Sequence, residues 1–308
     1  MADNILNAAQ AVENRESYYN VIRTTGLGVT PFWETLGHGV SGMKSSAGKG
    51  YKWDYRPGAQ AGVDNAHAEG ARRADITSWN AVELSNQFQI FKKTSGITGS
   101  QAASFTKEEM LSSIKTQQME NMKQLRLDIE KALLSATAPV PAPTIATVRK
   151  MAGVKQYIPT SAVFDLVGAA LSVKNHIDEA FKLMFLKGIV GEKIIVMCGP
   201  DVFTDLNWYY ADKNLLKQTE NAIMAKKDTI STGWHDTVRI MANPNMVSNE
   251  ALVYAPSLIN PVLLRSHKNK DVSDPNFDAE AREDLFELTL QVLDPYAAVH
   301  IKNIGRTV

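Results

Sequence analysis

A single cysteine, Cys198, stands in the 308-residue chain, so no intramolecular disulfide can form and no cysteine pair can share a metal. Neither sign of charge is in excess: lysine and arginine total 33, and aspartate and glutamate total 33. Without a net field, a dedicated nucleic-acid binder is disfavoured unless charge is segregated locally. There is no secretory segment and no run of about 18 apolar residues, which leads us to expect a protein made in, and soluble in, a cytoplasm.

Catalytic signatures are also missing, and each near miss fails on mechanism. "GMKSSAGKG" resembles a phosphate loop, but five residues separate Gly42 from Gly48 where four are needed. Gly50 stands where a magnesium-binding hydroxyl is required. His67 and Glu69 have the spacing of the first element of a zinc deaminase, and the paired cysteines of the second are absent. The six histidines, at 38, 67, 176, 235, 267 and 300, form no HExxH pattern and no close pair. No GxSxG elbow and no GxGxxG after a strand occur, and Cys198 in an apolar strand reads as a buried thiol. The expectation is no enzyme, no catalytic residue, no metal and no cofactor.

What is present is ordinary globular material, 44% hydrophobic and 21% charged, in a chain longer than one typical domain. The first segment, Met1 to about Ser46, allows a short helix around Ile5 to Glu16, then becomes rich in glycine. It reads as an arm with one helical turn near Phe32 to Leu36, whose apolar Phe32, Trp33 and Leu36 need a cover from their own domain or from a neighbour. Tyr51, Trp53 and Tyr55 alternate with Lys52, Asp54 and Arg56, a half-buried strand stopped by Pro57 and Gly58. The chain returns along "TSWNAVELSNQFQIFKKTSGI", where Val82, Leu84, Phe88 and Ile90 alternate again. A two-stranded ribbon is marginal in water, so its aromatic face must be covered by another part of the protein or another copy of it.

From Thr106 the period changes. Thr106 and Glu109 fit a capping box, and Met110, Ile114, Met122, Leu125, Ile129 and Leu133 follow at helical spacing. One long amphipathic helix to Ala138 is expected, ended by the prolines of "APVPAP". Mixed helix and strand signals then fill about Val163 to Asn260: "SVKNHIDEAFKLMFLKG", "EKIIVMCGP", "DVFTDLNWYY", "DTVRIMANP" and "EALVYAP". The tail carries a strand in which Phe286, Leu288, Leu290 and Val292 alternate with Glu287, Thr289 and Gln291, expected to return beside the long helix.

Taken in order, "TPFWETLGHG", "YKWDYRPG", "NQFQIFKKTSGITGSQ", "LRLDIEKALLSATAP", "VRKMAGVKQYI", "IIVMCGPDVF", "DTVRIMANPNMVSNEALVYAP" and "FELTLQVLDPYAAVHIKNI" make the chain similar to the major capsid proteins of tailed bacteriophages. "SGITGSQ" differs from the usual pattern by an inserted-looking Ile-Thr. The resemblance implies an α+β fold of HK97-like type with an N-terminal arm (1–47), an extended β-hairpin loop (48–101), a peripheral domain (102–162 and 261–308) with spine helix 106–138, and an axial domain (163–260). It also implies that Tyr51, Trp53, Tyr55, Phe88 and Ile90 of the extended loop, and Phe32, Trp33 and Leu36 of the arm, touch neighbouring subunits.

The function it implies is self-assembly into hexamers and pentamers of an icosahedral head, enclosing double-stranded DNA without sequence-specific binding and without a membrane. A portal is then a partner, and scaffolding or decoration proteins are further ones it allows. The location implied is the virion, assembled in the host bacterial cytoplasm. The alternative with the same fold is an encapsulin-like nanocompartment shell, since a fold alone does not select its contents.

Overall fold

Residues 29–36, 40–41, 50–57, 67, 69, 80–104, 107–141, 147–212, 229–230, 234–235, 238–276 and 278–306 are described in the computed structural model of the chain. The helix expected at Ile5 to Glu16 and the capping residue Thr106 lie outside them. The arm's helical turn is helix α1 (Pro31–Thr35), with proline at its start, where a missing N–H is no loss. Strand β1 (Val40–Ser41) follows. Strands β2 (Gly50–Tyr55) and β3 (Val82–Gln87) form the expected antiparallel hairpin, with Trp53 opposite Leu84.

The return strand does not continue straight through Phe88. It breaks there, and β4 (Gln89–Thr98) enters a different sheet. The Asn86 side chain accepts from the Gln87 N–H and so takes over a backbone bond at the corner. Ile97, part of the unusual Ile-Thr pair, is fully buried inside β4.

After α2 (Gly99–Ser104), the long helix α3 (Lys107–Leu133) has 27 residues, about 40 Å at 1.5 Å per residue. Ile114, Leu125, Ile129 and Leu133 are buried along it, as their spacing requires. It ends at Leu133 rather than at Ala138. A residue before proline avoids helical backbone, and Gly153 packs against the Ala132 and Ser135 carbonyls so closely that any Cβ would collide with them. Helix α4 (Val154–Tyr157) follows this contact.

The inserted lobe holds β5 (Val163–Asp165), a π-helical turn at Val173–Ile177 running into α5 (Asp178–Leu186), β6 (Ile194–Cys198), α6 (Pro200–Asp212), β7 (Thr229–Ile230), β8 (Val238–Ala242) and β9 (Ala251–Tyr254). Helix α5 stops where Gly188 adopts φ of 88°, a left-handed conformation that suits glycine. The last strands are β10 (Ile259–Asp271), β11 (Ala279–Val292) and β12 (Ala298–Lys302).

Two large sheets result. One has four strands in the order β1-β10-β11-β4, and the other has six in the order β5-β12-β9-β6-β8-β7. The tail therefore divides. β11 returns to the first lobe, paired with β4, but β12 lies between β5 and β9, so residues 298–302 complete the inserted lobe's sheet. A 3-10 turn at Pro295–Ala297, capped by the Asp294 carboxylate on the Tyr296 N–H, redirects the chain between them. The two lobes share one apolar core, in which Ile129 of α3 belongs with Phe32, Val196, Tyr254 and Leu290 to a single buried cluster.

Strand β11 departs from its expected two-faced character. Residues 287–292 are all buried, the polar Glu287, Thr289 and Gln291 included. The register places Val262 opposite Thr289, on this polar face, and the hairpin β2–β3 covers it.

Candidate assembly surfaces: the hairpin and the arm

Alternation in β2 puts Tyr51 and Trp53 on one side, and both are buried with Phe88 and Val262 in a small cluster of their own. The Tyr51 and Trp53 rings stack at 5.7 Å, Phe88 meets Tyr51 edge-on at 6.2 Å, and Tyr157 of α4 lies 5.7 Å from Trp53. Polar anchors fix the hairpin's position. The Trp53 indole donates to the Val292 carbonyl at 2.8 Å, and Tyr157 donates to the Ser85 carbonyl at 2.9 Å. Asn86 donates to the Leu290 carbonyl at 2.8 Å and to the Ala152 carbonyl at 3.1 Å, while accepting from the Ala152 N–H at 2.7 Å.

Tyr51, Trp53 and Phe88, expected at a neighbouring subunit, are thus covered within their own chain. Each such side chain gains about 1.5 to 3 kcal/mol from burial, and the indole and amide groups find buried backbone partners within the same chain. Tyr55 is only partly covered, and Ile90 is 42% exposed, so these two of the five remain accessible on the subunit. Burial raises the pKa of the Tyr55 phenol, and the nearby Asp294 and Tyr296 add to the rise.

The arm residues Phe32, Trp33 and Leu36 are likewise all buried in the chain's own main core. Phe32 meets the Tyr254 ring edge-on at 5.1 Å, and the Thr35 hydroxyl lies 2.6 Å from the Tyr254 hydroxyl. The start of α1 has no capping bond from Thr30. Glu130 of α3 supplies it from outside, accepting from the Phe32 N–H at 2.9 Å and the Trp33 N–H at 2.7 Å. Asn243, just beyond β8, donates to the same carboxylate at 2.7 Å. Burial pushes the Glu130 pKa up, while the bonds from Trp33, Phe32 and Asn243 pull it down without cancelling that effect.

Glu130 thus joins the arm, the long helix and the six-stranded sheet at one carboxylate. Sequence reading did not single it out. Its only signal is its place on the apolar side of α3, next to Ile129 and three positions before Leu133, where a charged residue needs a partner.

The polar face of β11 is held similarly. Glu287 accepts from Arg149 at 2.8 Å and pairs with Arg265 of β10, and it is buried between them. Burial pushes the Cys198 thiol up to about 12, so it is protonated and poorly nucleophilic. Among the described residues no group of three or more His, Cys, Asp or Glu is placed to hold a metal ion. No described helix is long and apolar enough to cross a membrane.

An arm clamped to a long helix, a hairpin folded over a sheet of long strands, and a second lobe built on a six-stranded sheet define an α+β protein of HK97-like fold. Solved structures share it over nearly the whole chain. The capsid asymmetric unit of cyanophage A-1(L) has a TM-score of 0.69 at 11% identity, covering 97% of this chain and 98% of that one. The capsid of cyanophage P-SCSP1u has a TM-score of 0.63 at 9% identity, covering 96% and 94%. The SrpI encapsulin of Synechococcus elongatus has a TM-score of 0.60 at 8% identity, covering 94% of each. At these identities the likeness establishes the fold alone.

The sequence profile of the SU10 major capsid protein matches residues 4–305, and the chain belongs to that family. It is a phage capsid shell protein that associates with copies of itself in the capsid of the virion. No curated protein sequence matches it.

Proposed function

We propose that this subunit forms the hexamers and pentamers of an icosahedral head that encloses double-stranded DNA without reading its sequence. The family match over residues 4–305 carries this reading, and the balance of 33 basic against 33 acidic residues agrees with a wall that encloses nucleic acid without gripping it. The subunit acts by association and carries no catalytic step. Assembly takes place in the host bacterial cytoplasm, with a portal at one vertex and a separate scaffolding or decoration protein as further partners.

Within the subunit we assign 1–47 as the arm, 48–101 as the extended loop, 102–162 with 261–297 as the peripheral part, and 163–260 with β12 as the axial part. Tyr55 and Ile90, left accessible on the folded chain, are the extended-loop residues we place at subunit contacts. Heterologous contacts of this kind close into rings, and rings of two sizes close a shell.

An encapsulin-like nanocompartment is the second reading, supported by the fold shared with the SrpI encapsulin. Negative-stain electron microscopy of the chain expressed alone and with its neighbouring genes, followed by nuclease and protease treatment of the particles, separates the two. Shells protecting DNA support the head, and shells protecting a cellular protein instead would overturn it. A chain that forms neither rings nor shells in any combination would remove both.

A further inference from the structure

The C-terminal end of α3 borders a cleft of about 500 Å³. Lys131 of α3, Lys155 of α4 and Lys302 of β12 line it, with His300 on the same strand. Among the described residues of the lining, Glu250 is the one carboxylate. Its charge is already used: Lys155 pairs with its Oε2, and His300 Nε2 lies 3.1 Å from the same oxygen. Burial alone would raise the Glu250 pKa, but His300 and Lys155 outweigh it and hold the carboxyl at about 2, so it stays ionised and paired.

Lys131 and Lys302 are the other two cations of the lining. Lys131 is exposed, and among the described residues no carboxylate pairs with it. Lys302 shares Asp165 at 3.0 Å, a residue outside the lining and itself partly solvated. The accessible apolar part of the lining is the half-buried Val163 and the exposed Val247, with Leu134 and Met246 buried behind them in the main core. Asn245, also in the lining, donates to the Val29 carbonyl at 2.8 Å, so the arm passes the edge of the cleft.

We infer that this cleft is a docking site for an acidic, extended peptide segment of a second protein, its carboxylates on Lys131 and Lys302 and an apolar side chain on Val163 and Val247. The volume is that of a small-ligand site, larger than one anion needs and too small to admit a nucleic-acid duplex. The apolar wall selects against a phosphate backbone, which offers nothing to cover it. Lysines contribute chiefly by attracting the partner and fixing its register, so the interaction weakens with salt.

The test is fluorescence anisotropy with the purified full-length chain and an end-blocked peptide of Glu-Glu-Leu repeats. A single-stranded oligonucleotide of equal charge is the comparator. Saturable binding of the acidic peptide is expected, weakened about tenfold in the double variant Lys131→Ala, Lys302→Ala, with the oligonucleotide weaker and indifferent to the substitutions. Absence of saturable peptide binding, equal affinity in parent and variant, or a tenfold loss for the oligonucleotide in place of the peptide would each overturn the inference. If the double variant does not fold, Lys131→Ala alone, on an exposed side chain, carries the same comparison with a loss of about threefold.

Discussion

Strands β6 and β11 are both closed off from water along their inner lengths, yet their sequences look nothing alike. Ile194–Cys198 is apolar at every position, as befits a central strand with both faces in the core. Residues 287–292 alternate polar and apolar, the pattern of a strand with one wet face, and are buried all the same. The difference lies in what covers them. Apolar packing covers β6, while the polar face of β11 is covered by a hairpin of the same chain whose aromatic rings, indole and amide groups meet Val262 and the backbone of β11. Alternation therefore reports two unlike neighbours, and solvent is only one of the possibilities.

Removing the cover should break this comparison most sharply. Trp53→Ala takes away a buried ring and leaves the Val292 carbonyl without its indole donor, at a cost of about 3 to 5 kcal/mol in urea unfolding of dispersed subunits. Glu287→Leu takes a buried carboxylate away from the Arg149 charge and should cost about 3 kcal/mol in the same measurement. If Glu287→Leu were neutral, β11 would be as tolerant of apolar substitution as β6 and the polar face would have no structural role.

Glu130→Gln tests the second junction. An amide cannot accept at both positions from Phe32 and Trp33, so about 1 to 3 kcal/mol should be lost, with faster hydrogen exchange confined first to those two amides. Acid should act through a different residue. The pKa of Glu250 is held at about 2 against an ordinary 4.5, so its stabilisation is present above the ordinary value and lost as pH falls towards 2. Unfolding midpoints should therefore drop between about pH 5 and about pH 2, and Glu250→Gln should flatten that fall. Smallest in stability is Ile90→Ser, within about 0.5 kcal/mol because the side chain is already exposed, with its effect read as a lower yield of shells.

Much of the fold was legible because local rules coincide with tertiary ones: the Tyr51, Trp53 and Tyr55 alternation became β2, and the Leu125, Ile129 and Leu133 spacing became α3. The destination of each apolar face was not legible. Whether Trp53 or Phe32 meets its own chain or a neighbour depends on a corner at Asn86 and a carboxylate at Glu130, and neither has a periodic signature. The transfer of β12 to the second sheet was hidden for the same reason, since a redirecting turn at Asp294 resembles any other surface turn.

The most direct measurement is hydrogen exchange at the Trp53 indole and the Asn86 side-chain amide in dispersed subunits and in assembled shells. Protection in both states is predicted, because the hairpin's aromatic face is covered by its own chain before assembly. Free exchange in dispersed subunits with protection appearing only in shells would mean that a neighbour supplies the cover, and would contradict the account.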